Sequence, residues 1–200
     1  MFKLSTKIIE SIQNGEVVLL PTDTVYGLAA SPLSETAIKK IFELKSRPEM
    51  VNLPIMVSSV DNLDILGVDL NPAALRLFNS TFVPGDLTIV LGFNPEPKPF
   101  WLKGRIECAI RIPNNHLLLE ILDKTGPLLV TSANKHGTSV IPNNVSDILK
   151  ELNGTPDLII DGGIVESVPS TIVNCRLKPP EIERTGRISY DELFKLLNNE

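Results

Sequence analysis

The sequence predicts an α/β fold in which helices flank a twisted, mixed sheet. Apolar runs of strand length alternate with amphipathic stretches of helix length along the whole chain, as such a fold requires. Neither an internal repeat nor a long linker interrupts this alternation. Of the 200 residues, 42% are hydrophobic and 22% are charged, which is typical of a globular domain. We therefore expect residues 1–200 to form one domain.

The chain opens with a predicted helix and a predicted strand. Ile8, Ile9 and Ile12 fit one helical face, and Gly15 is suited to the position just after a helix end. The apolar run EVVLLP (16–21) then predicts a buried strand. The mixed charge of this start is not typical of a signal peptide, and no apolar run approaches membrane-spanning length. We expect a cytoplasmic protein without membrane contact.

The stretch PTDTVYGLAA (21–30) is predicted to connect that strand to the next helix. It carries three hydroxyl side chains, those of Thr22, Thr24 and Tyr26, together with the carboxylate of Asp23. A routine connection does not need so many hydrogen-bonding groups. Because binding residues are often placed on loops of a rigid scaffold, this stretch is a candidate binding loop.

The next elements are read from caps and apolar patterns. Ser34 is a suitable N-cap for a helix that runs to Lys45. LPIMVSS (53–59) predicts a strand, and helices are expected near 61–66 and 71–80.

The middle of the chain contains two predicted strands around a loop. LTIVLGF (87–93) predicts the first strand, and 95–105 is a Pro-rich loop that we expect to be mobile. The second strand, 106–112, alternates so that Ile106 and Cys108 lie on one apolar face. Cys108 is therefore interpreted as a buried core residue.

The last third of the chain continues the alternation. The predicted elements, in order, are a helix at 115–125, a strand at 127–133, a helix at 144–152 and strands at 157–161, 170–175 and 181–185. Ser189 and Glu192 form a capping box for a last helix that ends at Leu197.

Composition excludes several classes of function. The net charge is −5, so the average surface repels phosphate backbones and RNA binding would need a local basic patch. Two cysteines and two histidines, far apart, give no metal-ligand spacing, and we predict no metal site built from protein ligands. The glycine motifs of dinucleotide-binding folds and P-loops and the nucleophile elbow are absent.

Polar groups nevertheless recur where predicted elements end. They are Lys45-Ser46-Arg47, Arg111, Ser132-Ala133-Asn134, Ser170 and Arg184. Each one has a simpler explanation, because cations favour helix C-termini and hydroxyls favour turns. Ligands of α/β sheets bind outside strand ends, where several loops converge. Together these groups predict a cationic cavity for a polyphosphate and a small polar ligand.

The order of these motifs resembles a known family. PTDTVYGL, Lys45-x-Arg47, PGDLTIVL, AIRIP, the S-x-N of Ser132, PSTIV and Arg184-x-Gly occur in the order seen in YrdC-like domains. The chain is similar to the short, single-domain threonylcarbamoyl-AMP synthases of that family. The resemblance implies that L-threonine, bicarbonate and ATP, with Mg²⁺, give threonylcarbamoyl-AMP and pyrophosphate. A partner enzyme would transfer the threonylcarbamoyl group to adenosine 37 of tRNAs that read ANN codons.

The resemblance also implies residue roles. The residues that would bind ATP are Lys45, Arg47, Ser132, Asn134 and Arg184. Lys45 and Arg47 would contact the phosphates and act in catalysis. The residues that would bind L-threonine are Thr24, Arg111 and Ser170, with the rest of 22–27 as the pocket floor.

Two positions depart from the family pattern. Val51 stands four residues after Arg47, where the family usually carries Lys or Asn, and Asn52 lies beside it. Met56 stands where some members have a polar group near the threonine pocket. Either Asn52 takes the missing role or one phosphate contact is lost.

Two alternatives belong to other classes of function. A non-catalytic RNA-binding module could use the same cationic cavity and make a weak tRNA contact, although the acidic composition argues against it. A carbamoyl-transfer enzyme with another amine is the second alternative. Such domains normally occur in longer, zinc-containing chains.

Overall fold

The computed structural model describes residues 2–49, 51–95, 98–138 and 140–198. Within these ranges the chain forms six α-helices and nine strands. The helices are α1 (Phe2–Gln13), α2 (Glu35–Lys45), α3 (Pro72–Phe78), α4 (His116–Thr125), α5 (Val145–Glu151) and α6 (Tyr190–Asn198). The strands are β1 (Val18–Pro21), β2 (Tyr26–Ala30), β3 (Ile55–Met56), β4 (Leu87–Leu91), β5 (Cys108–Arg111), β6 (Leu128–Ser132), β7 (Leu158–Ile159), β8 (Thr171–Asn174) and β9 (Glu181–Arg184).

All these strands belong to one sheet with the order β7-β1-β2-β6-β3-β5-β4-β8-β9. Among the described strands, three pairs are parallel (β1 with β7, β3 with β5, β4 with β8), and the other five are antiparallel. The predicted α/β fold with a mixed sheet is thereby confirmed. Two predicted helix caps are also present, since Ser34 accepts from the Ala37 amide and Ser189 pairs with Glu192.

The prediction that 21–30 connects a strand to a helix is wrong. Tyr26–Ala30 forms β2, which is buried throughout and pairs antiparallel with β1, from Val18↔Ala29 to Pro21↔Tyr26. A strand buried on both faces has no polar–apolar alternation, which is why the pattern missed it. Four residues between two apolar runs are a typical hairpin loop, and that signal could have found it.

Two other elements differ from prediction. Residues Val60–Leu66 form a 3₁₀ helix where a helix near 61–66 was expected. The strand expected at 106–112 begins only at Cys108, where it pairs with Leu91. Ile106 therefore lies outside the sheet and is 70% exposed, so the prediction that it shares an apolar face with Cys108 is wrong.

The Pro-rich loop is described except at 96–97, which lie outside the described residues. Phe100–Leu102 form a short 3₁₀ helix. Lys98 Nζ lies 3.9 Å from the ring centre of Phe93, and Arg105 Nη1 donates to the Leu53 carbonyl at 3.1 Å. The first contact attaches the loop to the residues after β4, and the second attaches it to the segment that leads into β3.

The sheet packs a hydrophobic core on each face. Alternate strand residues such as Ile55, Ile89 and Ile110 join the larger core on one face. On the other face, α1 and α4 pack over β1, β2 and β6 and form the smaller core. Beside those two helices, the second face over β3, β5, β4 and β8 bears a cavity. The cavity therefore lies on the part of this face that α1 and α4 do not cover.

Among the described residues, the helices are too short or too polar for any of them to cross a bilayer.

Candidate functional site

The cavity has a volume of about 210 Å³ and is built from separate segments of the chain. Six of the predicted site residues line it: Thr24, Arg47, Arg111, Ser132, Ser170 and Arg184. Their three guanidinium groups stand in one hollow, so the predicted cationic cavity is present. Groups at the ends of elements are joined in the lining by side chains within strands, such as Thr88 and Ala109.

The tip of the β1–β2 hairpin is held by one hydroxyl group. Thr22 Oγ1 donates to the Val25 carbonyl at 2.6 Å and accepts from the amides of Thr24 and Val25 at 3.1 and 3.2 Å. A side-chain oxygen that satisfies turn amides replaces the backbone partner that a strand would supply. Thr22, Thr24, Val25 and Gly27 line the cavity, as predicted for the floor. Tyr26 does not belong to that lining.

Tyr26 points to the larger core and fastens a distant loop. Its hydroxyl donates to the Gly163 carbonyl at 2.8 Å and accepts from the Gly162 amide at 2.9 Å. Burial, together with the nearby Asp161 carboxylate, raises the pKa of Tyr26. The hydroxyls of this stretch therefore divide between shaping the cavity and joining the loop at 161–163 to the hairpin.

Arg111 is the centre of one cavity wall. The tip of the β1–β2 hairpin contacts Arg111 across two intervening strands, because β6 and β3 lie between β2 and β5 in the sheet. Arg111 Nη1 donates to Thr24 Oγ1 at 2.7 Å and its Nε donates to the Gly85 carbonyl at 2.8 Å. Its Nη2 lies 3.0 Å from Asp23 Oδ1, an ion-pair distance, although the N–H direction does not form a hydrogen bond between these atoms.

Burial makes the charge on Arg111 costly. The residue is 5% exposed, and this burial lowers the pKa of its guanidinium, while the carboxylates of Asp23 and Asp86 act in the opposite direction. Arg111 does not pair at the surface, because its side chain and that of Asp23 are only 6% and 12% exposed. A buried guanidinium that lines the cavity is suited to bind a carboxylate by charge-assisted hydrogen bonds.

Arg47 enters the cavity from the end of α2. Ser46 adopts the left-handed conformation (φ 48°) that ends the helix and turns the chain. Arg47 Nη2 donates to the Asn52 carbonyl at 2.8 Å, and its Nε donates to the Val51 carbonyl at 3.3 Å. Residue 51 therefore accepts from Arg47 through its backbone carbonyl, and any residue at this position has that carbonyl. The Val51 departure leaves this contact intact.

Lys45 lies outside the cavity lining, although it is only two residues from Arg47. It is 2% exposed, and its ammonium donates to the carbonyls of Ser132 and Asn134, the latter at 2.6 Å. Burial, and then the neighbouring Arg47 charge, lower the pKa of Lys45 to about 7. In this structure Lys45 holds the Ser132–Asn134 loop to α2. Direct contact between Lys45 and phosphate stays a prediction.

The Ser132–Asn134 loop is also held by its own side chains. Ser132 Oγ donates to Asn134 Oδ1 at 2.6 Å, and Asn134 Nδ2 donates to Thr138 Oγ1 at 3.0 Å. Asn134 is 7% exposed and does not belong to the cavity lining. It therefore orients Ser132, which does line the cavity at the end of β6.

The opposite wall joins β4, β8 and β9. Thr88 and Ser170 hydroxyl oxygens are 2.7 Å apart, and Arg184 donates to the Ser170 carbonyl from Nη2 at 2.8 Å and from Nε at 3.1 Å. A register shift between Ile172 and Val173 interrupts the β8–β9 ladder beside Arg184. Burial and the charge of Arg111 both lower the pKa of Arg184. An anion placed between the two arginines would relieve this repulsion.

Gly186 explains the spacing of the Arg184-x-Gly186 motif. A Cβ at this position would lie 2.1 Å from the Pro169 carbonyl oxygen and 2.7 Å from the Thr171 amide nitrogen. The Gly186 amide also donates to Thr171 Oγ1 at 2.8 Å. Backbone atoms cannot rotate away, so this close approach requires glycine.

We expect Gly186→Ala to lower the free energy of unfolding by about 2 kcal/mol, because the methyl group has no space. Urea unfolding measures the change. Gly92→Ala is the matched control, since its nearest neighbour is the Arg176 side chain at 3.7 Å, an ordinary contact. If Gly186→Ala were as stable as wild type, the backbone at 169–171 would be able to shift and accommodate the methyl group, and the prediction would be wrong.

Sequence reasoning missed Thr88 and Asp86 as site residues, and it placed Asp23 in the pocket floor, whereas Asp23 lies outside the cavity lining. Thr88 follows the PGD turn in the PGDLTIVL motif, and period-2 alternation from that turn could have placed it on the cavity face. Asp23 lies inside PTDTVYGL, but its partner Arg111 is 88 positions away, and the sequence carries no signal for that pairing. Within the described residues, clusters of metal-binding side chains large enough to hold an ion are absent.

Comparison with known sequences places the cavity in context. The sequence model of the Sua5/YciO/YrdC family, described as telomere recombination, matches residues 10–186. A threonylcarbamoyl-AMP synthase of Pyrococcus abyssi is 33% identical, over 93% of this chain and 55% of that protein. A threonylcarbamoyl-AMP synthase of Bacillus subtilis is 32% identical, over 91% and 53%. The chain spans about half the length of these relatives. The uncharacterized protein YciO of Escherichia coli is 26% identical, over 92% of this chain and 89% of that protein.

Solved structures show the same similarity. Sua5 of P. abyssi complexed with L-threonine superposes with a TM-score of 0.85 at 32% identity, over 97% of this chain and 57% of that one. YciO of E. coli superposes with a TM-score of 0.84 at 25% identity, over 96% and 94%. Both relatives share the sheet on which the cavity is built.

Proposed function

From the premise that this chain belongs to the Sua5/YciO/YrdC family, we propose that it is a threonylcarbamoyl-AMP synthase. It would convert L-threonine, bicarbonate and ATP into L-threonylcarbamoyl-AMP and pyrophosphate. The observation that carries the proposal is the convergence of three guanidinium groups and several hydroxyls in one cavity. The related Sua5 of P. abyssi binds L-threonine.

The Arg111 side of the cavity is the proposed threonine site. The Arg111 guanidinium lines the cavity here and pairs with the α-carboxylate. Thr24 accepts from this guanidinium, and Ser170 lines the same cavity beside Arg184. Both supply hydroxyl groups for the polar atoms of the amino acid. The apolar side chain of Met56 lines the same cavity and offers a surface for the methyl group.

The opposite end of the cavity is the proposed ATP site. Arg47 and Arg184 neutralise the triphosphate, and Ser132 contacts the nucleotide near its phosphates. Asn134 and Lys45 hold the Ser132 loop, and we keep the proposal that Lys45 also assists phosphate binding. Mg²⁺ enters with ATP as part of the substrate.

The proposed chemistry needs placement and charge rather than a protein nucleophile. The threonine amine and bicarbonate form a carbamate with loss of water. A carbamate oxygen then attacks the α-phosphorus, and the bond to the pyrophosphate leaving group breaks. Negative charge builds on the phosphoryl oxygens, where fixed guanidinium groups stabilise it. Alignment of both substrates in one hollow lowers the barrier further.

The product would serve a tRNA-modifying partner. A carbamoyl–phosphate anhydride is reactive in water, so it must pass to an enzyme that transfers the threonylcarbamoyl group. We propose that the acceptor is adenosine 37 of tRNAs that read ANN codons.

The direct test measures pyrophosphate release from the purified protein with ATP, Mg²⁺ and bicarbonate. We expect release to depend on L-threonine, and L-serine to be a poorer substrate because it lacks the methyl group, a difference of about tenfold. Pyrophosphate release at the same rate with and without L-threonine would contradict the proposal. Salt-sensitive RNA binding without any turnover would instead support a non-catalytic module.

A further inference from the structure

Asp23 joins the hairpin tip to β5 by two contacts. Its Oδ2 accepts from the Asn114 amide at 2.7 Å, just after β5, and its Oδ1 lies 3.0 Å from Arg111 Nη2. The Asp23 side chain is 12% exposed and that of Arg111 is 6% exposed, so water screens this pair little. Such a contact fixes a cation more firmly than a surface ion pair does.

A second carboxylate competes for the same guanidinium. Asp86 Oδ1 lies 4.0 Å from Arg111 Nη2, and its other oxygen lies 3.6 Å from Arg187 Nε. Asp23 and Asp86 line a neighbouring hollow of about 230 Å³, whereas Arg111 lines the cavity. The two carboxylates therefore hold the guanidinium from the side that faces away from the cavity.

We propose that Asp23 is a positioning residue for amino-acid recognition, which holds the Arg111 guanidinium against Thr24 so that the cavity presents it to a ligand carboxylate. The inference rests on the proposed function, because it assumes that an amino acid binds at Arg111. Asp23 itself touches Arg111 and Asn114 and acts on the ligand through Arg111.

Two effects of removing the Asp23 charge oppose each other. A more positive site attracts any anion more strongly. The released guanidinium, however, has Asp86 as its next carboxylate and would shift towards it, away from Thr24. Carboxylate recognition by arginine depends on the direction of its N–H groups, so the loss of orientation outweighs the gain in charge.

The test is a calorimetric titration of L-threonine into wild-type protein and Asp23→Asn. Asparagine keeps the size of Asp23 and can still accept from the Asn114 amide. We expect Asp23→Asn to bind threonine about tenfold more weakly. In turnover the KM for threonine should rise by a similar factor, while the KM for ATP and kcat stay within about twofold of wild type.

Two matched variants separate positioning from charge. Asp123→Asn makes the same chemical change on an exposed residue of α4 and should bind threonine as wild type does. Asp86→Asn removes a charge at the longer distance and should weaken binding less than Asp23→Asn. Equal or tighter binding by Asp23→Asn, or equal losses in Asp23→Asn and Asp86→Asn, would overturn the proposal. Wild-type protein that does not bind threonine would instead overturn the proposed function.

Discussion

Replacement of Arg111 by alanine is expected to abolish recognition of threonine, with a fall in kcat/KM for threonine of at least about a hundredfold. The Arg111 guanidinium lines the cavity at the proposed carboxylate site, and it connects Thr24, Gly85 and Asp23. Steady-state pyrophosphate release at varied threonine concentration measures the loss.

Arg111→Ala also leaves Asp23 buried without its cation, so part of the protein could fail to fold. Arg111→Lys separates the two effects, because it keeps a positive charge and removes the planar fork. We expect Arg111→Lys to retain the far-ultraviolet circular dichroism of wild type and to raise the KM for threonine by about tenfold. A folded Arg111→Lys protein with an unchanged KM for threonine would refute the role of the fork.

The sequence could predict those cavity residues that belong to a short motif at the end of a helix or strand. Arg47, Ser132 and Arg184 each follow the end of an element or close one, so their convergence was expected from the fold class alone. The roles of Lys45 and Arg47 could not be separated in this way. The left-handed turn at Ser46 directs Arg47 to the cavity, whereas Lys45 stays buried against the Ser132 loop. Only the tertiary structure shows this difference.

Contacts between distant segments explain the other differences. The hairpin at β2 was missed because its strand is buried on both faces, and the pairing of Asp23 was missed because its partner lies on β5. Gly186 is similar, since its need for glycine comes from the Ser170 peptide that crosses it. Pattern and propensity report on neighbours in sequence, whereas these positions are fixed by neighbours in space.

Arg47→Ala is expected to produce the complementary defect to the Arg111 variants. Arg47 also lines the cavity and contacts the protein through two backbone carbonyls at a partly exposed position. Its loss should cost the fold little, about 1 kcal/mol, because neither partner is a buried charge. Its loss should lower kcat/KM for ATP by about a hundredfold, since a cation that meets developing phosphoryl charge acts mainly in the transition state.

Equilibrium binding then distinguishes the two ends of the cavity. Arg47→Ala should bind L-threonine with wild-type affinity in calorimetry while its turnover of ATP is lost, whereas Arg111→Lys should show the reverse pattern. Arg76→Ala, an exposed arginine on α3, is the matched control for removal of a positive charge and should leave both properties unchanged. If Arg47→Ala weakened threonine binding as much as ATP turnover, phosphate and amino acid would share one subsite. The proposed division of the cavity into a threonine site at Arg111 and an ATP site at Arg47 would then be wrong.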